Sequence, residues 1–334
     1  GPNEACANAL RCAIVAAPGN ELVVADWSNI ESRVLAWIAG ENWKLDAYRA
    51  VDAGVGVDLY KLLFSQFFGK SIDDVDDQER QSGKVSELAF GFGGGVGALV
   101  TMAAVYEMDL DALAAPVWNT ATKEQRQKAQ RAWKRAFLEG EDYDLDPRTY
   151  KACDILKQAY RKSNKAINDL RHALDDATKG AIREPGTVYD VAKCRIWATS
   201  SFLIIQLPSG RRLLYAKPRI EEEAFFDFEE GKEKYRDYIS YLTARGKGWM
   251  RERAWSGLFI ENIVQSVAAD VLRAALRSVH RDTLSVPAVR SYLELVEGAG
   301  TAIALHVHDE IVLDVPVGSY PLERLKQKMT VELI

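Results

Sequence analysis

The chain has 334 residues, 48% of them hydrophobic and 10% aromatic, enough to bury a core and incompatible with a disordered polymer. A net charge of −5 excludes a uniformly basic nucleic-acid binder, and the most apolar run, around residues 91–106, falls short of the roughly 20 residues a bilayer span needs. The start carries no basic and apolar leader, so no signal peptide is expected. Cys6, Cys12, Cys153 and Cys194 form no CxxC pair, which argues against a zinc site or a disulfide framework and for a reducing, cytoplasmic setting.

In chain order, residues 20–27 read as a strand, a short β-branched run after Pro18-Gly19. A helix follows directly: Ser28 is a candidate N-cap, Glu31 stands three positions on, and Ile30, Val34, Leu35 and Ile38 keep helical spacing until Gly40. Residues 43–186 are mostly helical, with stretches at 57–68, 79–92 and between 123 and 174. Two basic runs lie here: residues 120–138 hold six Lys or Arg against one acid, and residues 147–172 hold seven against two. The pattern then changes to strands, with a hairpin over 201–215 around Pro208-Ser209-Gly210. Residues 217–250 read as a charged, irregular surface insertion. An amphipathic helix returns at 259–276, and a long β segment closes the pattern at 301–315. The β-rich ends are expected to form one sheet with the helical block inserted, an α+β architecture around a split sheet.

Two aspartates interrupt apolar strands. Asp26 ends the first strand. Asp309 falls in phase with Ile303, Leu305, Val307, Ile311, Leu313 and Val315. Either Asp309 faces a core, or the chain reverses at His308-Asp309 and lifts the acids onto a tip; an unpaired buried carboxylate costs several kcal/mol. Strand-end carboxylates suit hard cations such as Mg²⁺, although a helix-capping Asp26 explains one of them equally well. In the helical block, Arg80 and Lys84 stand four apart, followed by Leu88 and Phe92 in the same register. They are charges for a triphosphate and apolar surface for a base, or simply a surface edge. The glycines at 91–97 are no P-loop, because no GK[ST] follows. Glu261, Asn262 and Gln265 make a polar group beside an apolar helix stripe, and Arg211 follows a turn where it can reach a phosphate.

Three of these elements, in this order, resemble family A DNA polymerases of the bacteriophage or prophage branch. Asp26-Trp27-Ser28-Asn29-Ile30-Glu31 is similar to motif A, DYSQIE. Arg80, Lys84, Leu88, Phe92 and Gly93 follow motif B, RxxxKxxxFGxxYG. His308-Asp309-Glu310 matches the HDE of motif C. Leu207 to Arg212 and Glu261 to Gln265 add support. The resemblance covers roughly residues 10–100 and 195–316.

It implies a right-hand fold with a split palm sheet and a large helical fingers insertion: palm over 1–42, fingers over 43–194, palm again over 195–334. It implies template-directed DNA synthesis by a two-metal mechanism, with Asp26 and Asp309 as metal ligands, helped by the Trp27 carbonyl, and Glu310 as a further catalytic acid. Two Mg²⁺ ions are implied, with Mn²⁺ able to substitute. Arg80, Lys84, Leu88, Phe92, Glu31 and Tyr60 would face the incoming nucleotide, Glu31 as the ribose gate. Gln265, Asn262, Arg211, His308 and Asn29 would face primer and template. Leu88 stands where the family has an aromatic, Phe92 where it has tyrosine, and Tyr60 where many members have histidine. The implied partners are primer-template DNA, dNTPs and replication accessory proteins, in a bacterial host's cytoplasm. Thumb and exonuclease domains are not expected in this chain, hence a weak grip on DNA and no proofreading. A two-metal nuclease using Asp26, Glu31, Asp309 and Glu310, or a non-catalytic nucleic-acid-binding module, are the competing readings.

Overall fold

The structure is a computed structural model that describes residues 13–227, 230–246, 248–296 and 300–330. In chain order the elements are β1 (Asn20–Asp26), α1 (Ile30–Ala39), α2 (Asn42–Asp52), α3 (Leu59–Phe68), a 3-10 turn (Ile72–Asp74), α4 (Asp77–Phe90), α5 (Val96–Val105), α6 (Leu110–Thr120), α7 (Lys123–Glu139), α8 (Pro147–Ser163) and α9 (Lys165–Arg183). Then come β2 (Tyr189–Val191), β3 (Cys194–Ala198), β4 (Phe202–Gln206), β5 (Arg212–Asp227), β6 (Lys232–Arg245), β7 (Gly248–Ala254), α10 (Ser256–Leu284), α11 (Pro287–Leu295), β8 (Ile303–Val307), β9 (Glu310–Pro316) and α12 (Leu322–Met329). The chain divides into two compact units, residues 1–30 with 265–334, and residues 31–264.

In the first unit, β1, β9 and β8 form an antiparallel sheet in that order, so the first and last strands of the chain do pair. Alternation decides the faces. Val23 and Ala25 of β1 and Ile311, Leu313 and Val315 of β9 are buried against Leu272, Ala275 and Val279 of α10 and Val289 and Leu293 of α11. Each such side chain contributes about 1.5–3 kcal/mol when fully removed from water. The turn at His308-Asp309 ends the apparent alternation of the 301–315 segment, because Val307 of β8 pairs with Glu310 of β9. Of the two arrangements open to Asp309, the reversal onto a tip is the one adopted.

The second unit holds the helical block and a six-stranded antiparallel sheet running β2 to β7 in sequence order. The expected single sheet is therefore two: the 201–215 hairpin (β4–β5) belongs to this second sheet. The expected irregular insertion at 217–250 is also regular, made of β5, β6 and β7. The sequence hides these strands because their alternation is masked by charge on both faces. Cross-strand pairs hold them instead: Glu223 accepts from Arg236 at 3.0 Å and Arg253 at 2.8 Å, and Glu221 accepts from Tyr238 at 2.7 Å and Ser240 at 2.6 Å. The two guanidiniums hold the Glu223 carboxyl near 2.

Helix ends follow local chemistry. Asp76 and Glu79 close a capping box at α4, and Thr122 and Gln125 close another at α7, which ends on Gly140 in the left-handed region. The helices pack over Val85, Phe90, Leu99, Val117, Ile155 and Leu156. Among the described residues no helix is long and apolar enough to cross a membrane. Cys153 and Cys194 are buried free thiols, and Cys6 and Cys12 lie outside the described residues.

Candidate active site

Asp26 is the last residue of β1 and stands opposite Glu310, the first residue of β9, so the two side chains share one face of the sheet. That face is the one turned away from the core, because Val23 and Ala25 occupy the other. Asp309 occupies the turn between β8 and β9. The amide of Trp27 donates to the carbonyl of Asp309 at 3.3 Å, tying the two motifs together beyond the end of the sheet pairing. His308 occupies the same turn with φ of 53°, in the left-handed region, and its side chain is exposed. Asn29 also has a positive φ, 56°, just ahead of α1.

Charge is the dominant feature of this tip. The Asp26 carboxyl is held above the ordinary carboxylate range, first by partial desolvation at the strand end, then by the negative charges of Asp309 and Glu310. The Asp309 carboxyl beside it adds to the upward push. Three acids crowd together at this tip. Among the described residues no group of three or more His, Cys, Asp or Glu side chains is placed to hold a metal ion by itself. Two carboxylates beside exposed backbone are an open donor set, which fits a hard divalent cation that keeps waters and completes its shell with substrate oxygens.

The second set of candidates lies on α4. Arg80, Lys84 and Leu88 recur at four-residue spacing, and Leu88 is 39% exposed. Both cations are held. Arg80 pairs with Asp58 at 2.8 Å, with its guanidinium 5.4 Å from the Tyr60 ring centre, and the Lys84 ammonium lies 4.5 Å from the Tyr106 ring centre. Burial, together with the charges of Glu87 and Asp58, pushes the Tyr60 hydroxyl up to about 12, so it stays a neutral donor. Asp58 also caps α3, accepting from the amides of Tyr60 and Lys61. Gly83 permits this arrangement: a Cβ there would sit 2.2 Å from the Tyr60 carbonyl oxygen, so α3 and α4 touch backbone to backbone. Phe92 lies past the helix end, in a turn closed by the Gly93 amide donating to Phe90.

Sequence reasoning missed the buried charge behind this helix. Lys44, fully buried, donates to both oxygens of Glu87 at 2.7 Å, and Ser32 adds a bond at 2.6 Å. The only available signal was a lysine and a glutamate on helical faces otherwise occupied by apolar residues. Asp58 was visible as the residue before an apolar helical run, and Tyr106 carried no signal at all.

The remaining candidates are dispersed. Asn262 donates to the Tyr215 hydroxyl at 3.0 Å, and Arg211 follows Gly210, whose φ is 82°. Glu31 and Gln265 are exposed, the first at the start of α1 and the second on α10. The structure thus brings Asp26, Trp27, His308, Asp309 and Glu310 together in one unit, and Tyr60, Arg80 and Lys84 together in the other.

Residues 3–109 match the family model of DNA polymerase family A. The chain is 33% identical over 330 residues to the DNA polymerase of Bacillus phage SP02, aligning 96% of itself with 39% of that protein. It is 32% identical over 84 residues to DNA polymerase I of Pseudomonas aeruginosa, which covers 25% of the chain and 9% of the relative. The POL domain of Pol1 from M. smegmatis, solved in complex with DNA primer-template and dNTP, shares the fold with a TM-score of 0.50 at 17% identity, covering 95% of this chain and 37% of that one. Residues 3–109 thus carry the sequence of DNA polymerase family A, and the chain as a whole aligns with the phage DNA polymerase. It spans 39% of the length of its phage relative.

Proposed function

We propose that this chain carries the polymerase core of an enzyme that extends a primer 3′-hydroxyl with deoxynucleotides chosen by a template. The observation that supports this most directly is the crowding of Asp26, Asp309 and Glu310, three negative charges at one strand tip with an open donor set. Under this reading the palm comprises 1–42 and 195–334 and the fingers 43–194. Asp26 and Asp309 hold the metal, with the Trp27 carbonyl, and Glu310 adds negative charge that keeps cations at the tip. Divalent cations, Mg²⁺ with Mn²⁺ able to substitute, supply a lowered pKa for the primer hydroxyl and positive charge for the transferring phosphoryl group.

The chain's own residues do the rest. Arg80 and Lys84 neutralise the triphosphate and stabilise the departing pyrophosphate. Leu88, Phe92 and Tyr60 present the surface for base and sugar, and Glu31 excludes a ribose 2′-hydroxyl. His308, Asn29, Asn262, Gln265 and Arg211 bear on primer and template. The partners are primer-template DNA, dNTPs and replication accessory proteins, in a bacterial host's cytoplasm.

Primer extension with a labelled primer-template, dNTPs and Mg²⁺ tests the reading. Asp26→Asn and Asp309→Asn are each expected to lower the rate at least about 1,000-fold, since loss of a metal ligand removes several kcal/mol of charge stabilisation. Extension by both variants at the wild-type rate would sink it. Degradation of single strands without dNTPs, lost in the same variants, would assign the site to a nuclease instead.

A further inference from the structure

Away from both sets of site residues, a cleft of about 480 Å³ opens where α7 meets the end of β5. Lys128, Arg131, Lys134 and Arg135 line one side, and Phe225 and Phe226 line the other. Lys128, Arg131 and Arg135 recur at three- and four-residue spacing, so they form one row along α7, roughly 10 Å long at 1.5 Å rise per residue. The acid in the cleft, Asp227, is paired with Lys234 at 2.6 Å. Among the described residues, Lys128 and Arg135 pair within their own helix, with Glu124 at 2.8 Å and Glu139 at 4.0 Å. Such exposed pairs are worth about 0–1 kcal/mol, and a phosphate can replace the carboxylate at little cost. Phe226 is 47% exposed beside this row, and Arg236 lies 5.5 Å from the Phe225 ring centre.

We propose that this cleft binds single-stranded DNA, its phosphates along the α7 row and a base stacked on Phe226. A row of cations alone would suit any polyanion. An exposed ring beside it selects a strand whose bases are unpaired, because a duplex offers no free base face. The chain's net charge of −5 makes the concentration of cations on this one wall a local feature. The site does not depend on the carboxylate chemistry, so it goes beyond the polymerase reading and can stand if that reading fails.

The test is fluorescence anisotropy of the full chain with a labelled oligonucleotide of about 12 nucleotides, in the range of known single-strand sites. A chelator keeps the carboxylate tip silent, and thermal melts verify that each variant is folded. Phe226→Ala is expected to weaken single-strand binding about 10-fold, the loss of one stacked base, while leaving duplex binding unchanged. Lys128→Glu should lower the slope of log K against log salt by at least about 0.7, one phosphate contact on a single strand. Wild-type affinity in both variants overturns the proposal. So does equal displacement of the oligonucleotide by a duplex of the same length, or by polyglutamate, which would mark a general polyanion cleft. A chain that extends no primer yet shows these losses refutes the polymerase reading and leaves this one intact.

Discussion

The acidic tip of the three-stranded sheet and the cationic helix α4 handle charge in opposite ways. At the tip, partial burial of Asp26 and then its repulsion by Asp309 and Glu310 raise the Asp26 carboxyl above its usual range. On α4, Arg80 is matched by Asp58 and Tyr60, Lys84 by Tyr106, and Glu87 on an adjoining row of the same helix is anchored by Lys44. One site stores electrostatic tension that, under the proposed function, a cation would relieve. The other holds its charges at fixed positions until an anion arrives. Stability and function are therefore opposed at the first site and aligned at the second.

The sharpest way to break that contrast is the anchor. Lys44→Met leaves Glu87 buried without its counter-ion and is expected to cost about 3–5 kcal/mol in chemical denaturation, with the double variant Lys44→Met/Glu87→Leu recovering most of it. A cost under about 1 kcal/mol would mean the pair is dispensable. The tip should respond the other way. In metal-free buffer Asp26→Asn is expected to raise the melting temperature, by less than about 1 kcal/mol of stability because solvent screens these exposed acids. Added Mg²⁺ should then stabilise the wild type and not the variant. An equal response in both would remove Asp26 from the metal site. The smallest effect belongs to Tyr106. Replacing it with leucine removes the ring from Lys84 and should weaken dNTP binding about 2–5-fold, while Tyr106→Phe keeps the ring and stays near wild type. Titration by quenched fluorescence or by KM, with kcat held constant, distinguishes positioning from a folding defect.

Much of this was legible in the sequence, and the reasons for the rest are physical. Asp26 and Asp309 stood out because they interrupt apolar strands, and Arg80 and Lys84 because four-residue spacing survives in any helix. The Lys44–Glu87 pair joins positions 43 apart across two helices, and no local pattern encodes that distance. Strands β5 to β7 escaped for a different reason. They carry charge on both faces, as in the run Glu221 to Glu223, so hydropathy shows no period of two, and the pairing of Glu223 across from Arg236 is visible only once the strands are aligned. The 201–215 hairpin was identified correctly as a hairpin, yet its sheet could not be, because strand pairing beyond a turn is decided by packing partners.

The left-handed backbone at His308 has a mechanical consequence. An L-residue held there costs roughly 1 kcal/mol, and it sits between β8, an edge strand with Val307 49% exposed, and β9, the central strand of the sheet. Glu310 begins the central strand and pairs on both sides, with Asp26 and Val307; the imidazole, two residues earlier, sits in the turn just past the end of the edge strand. One short turn thus joins an immobile acid to an adjustable ring, and amide exchange at this hairpin should begin on the β8 side.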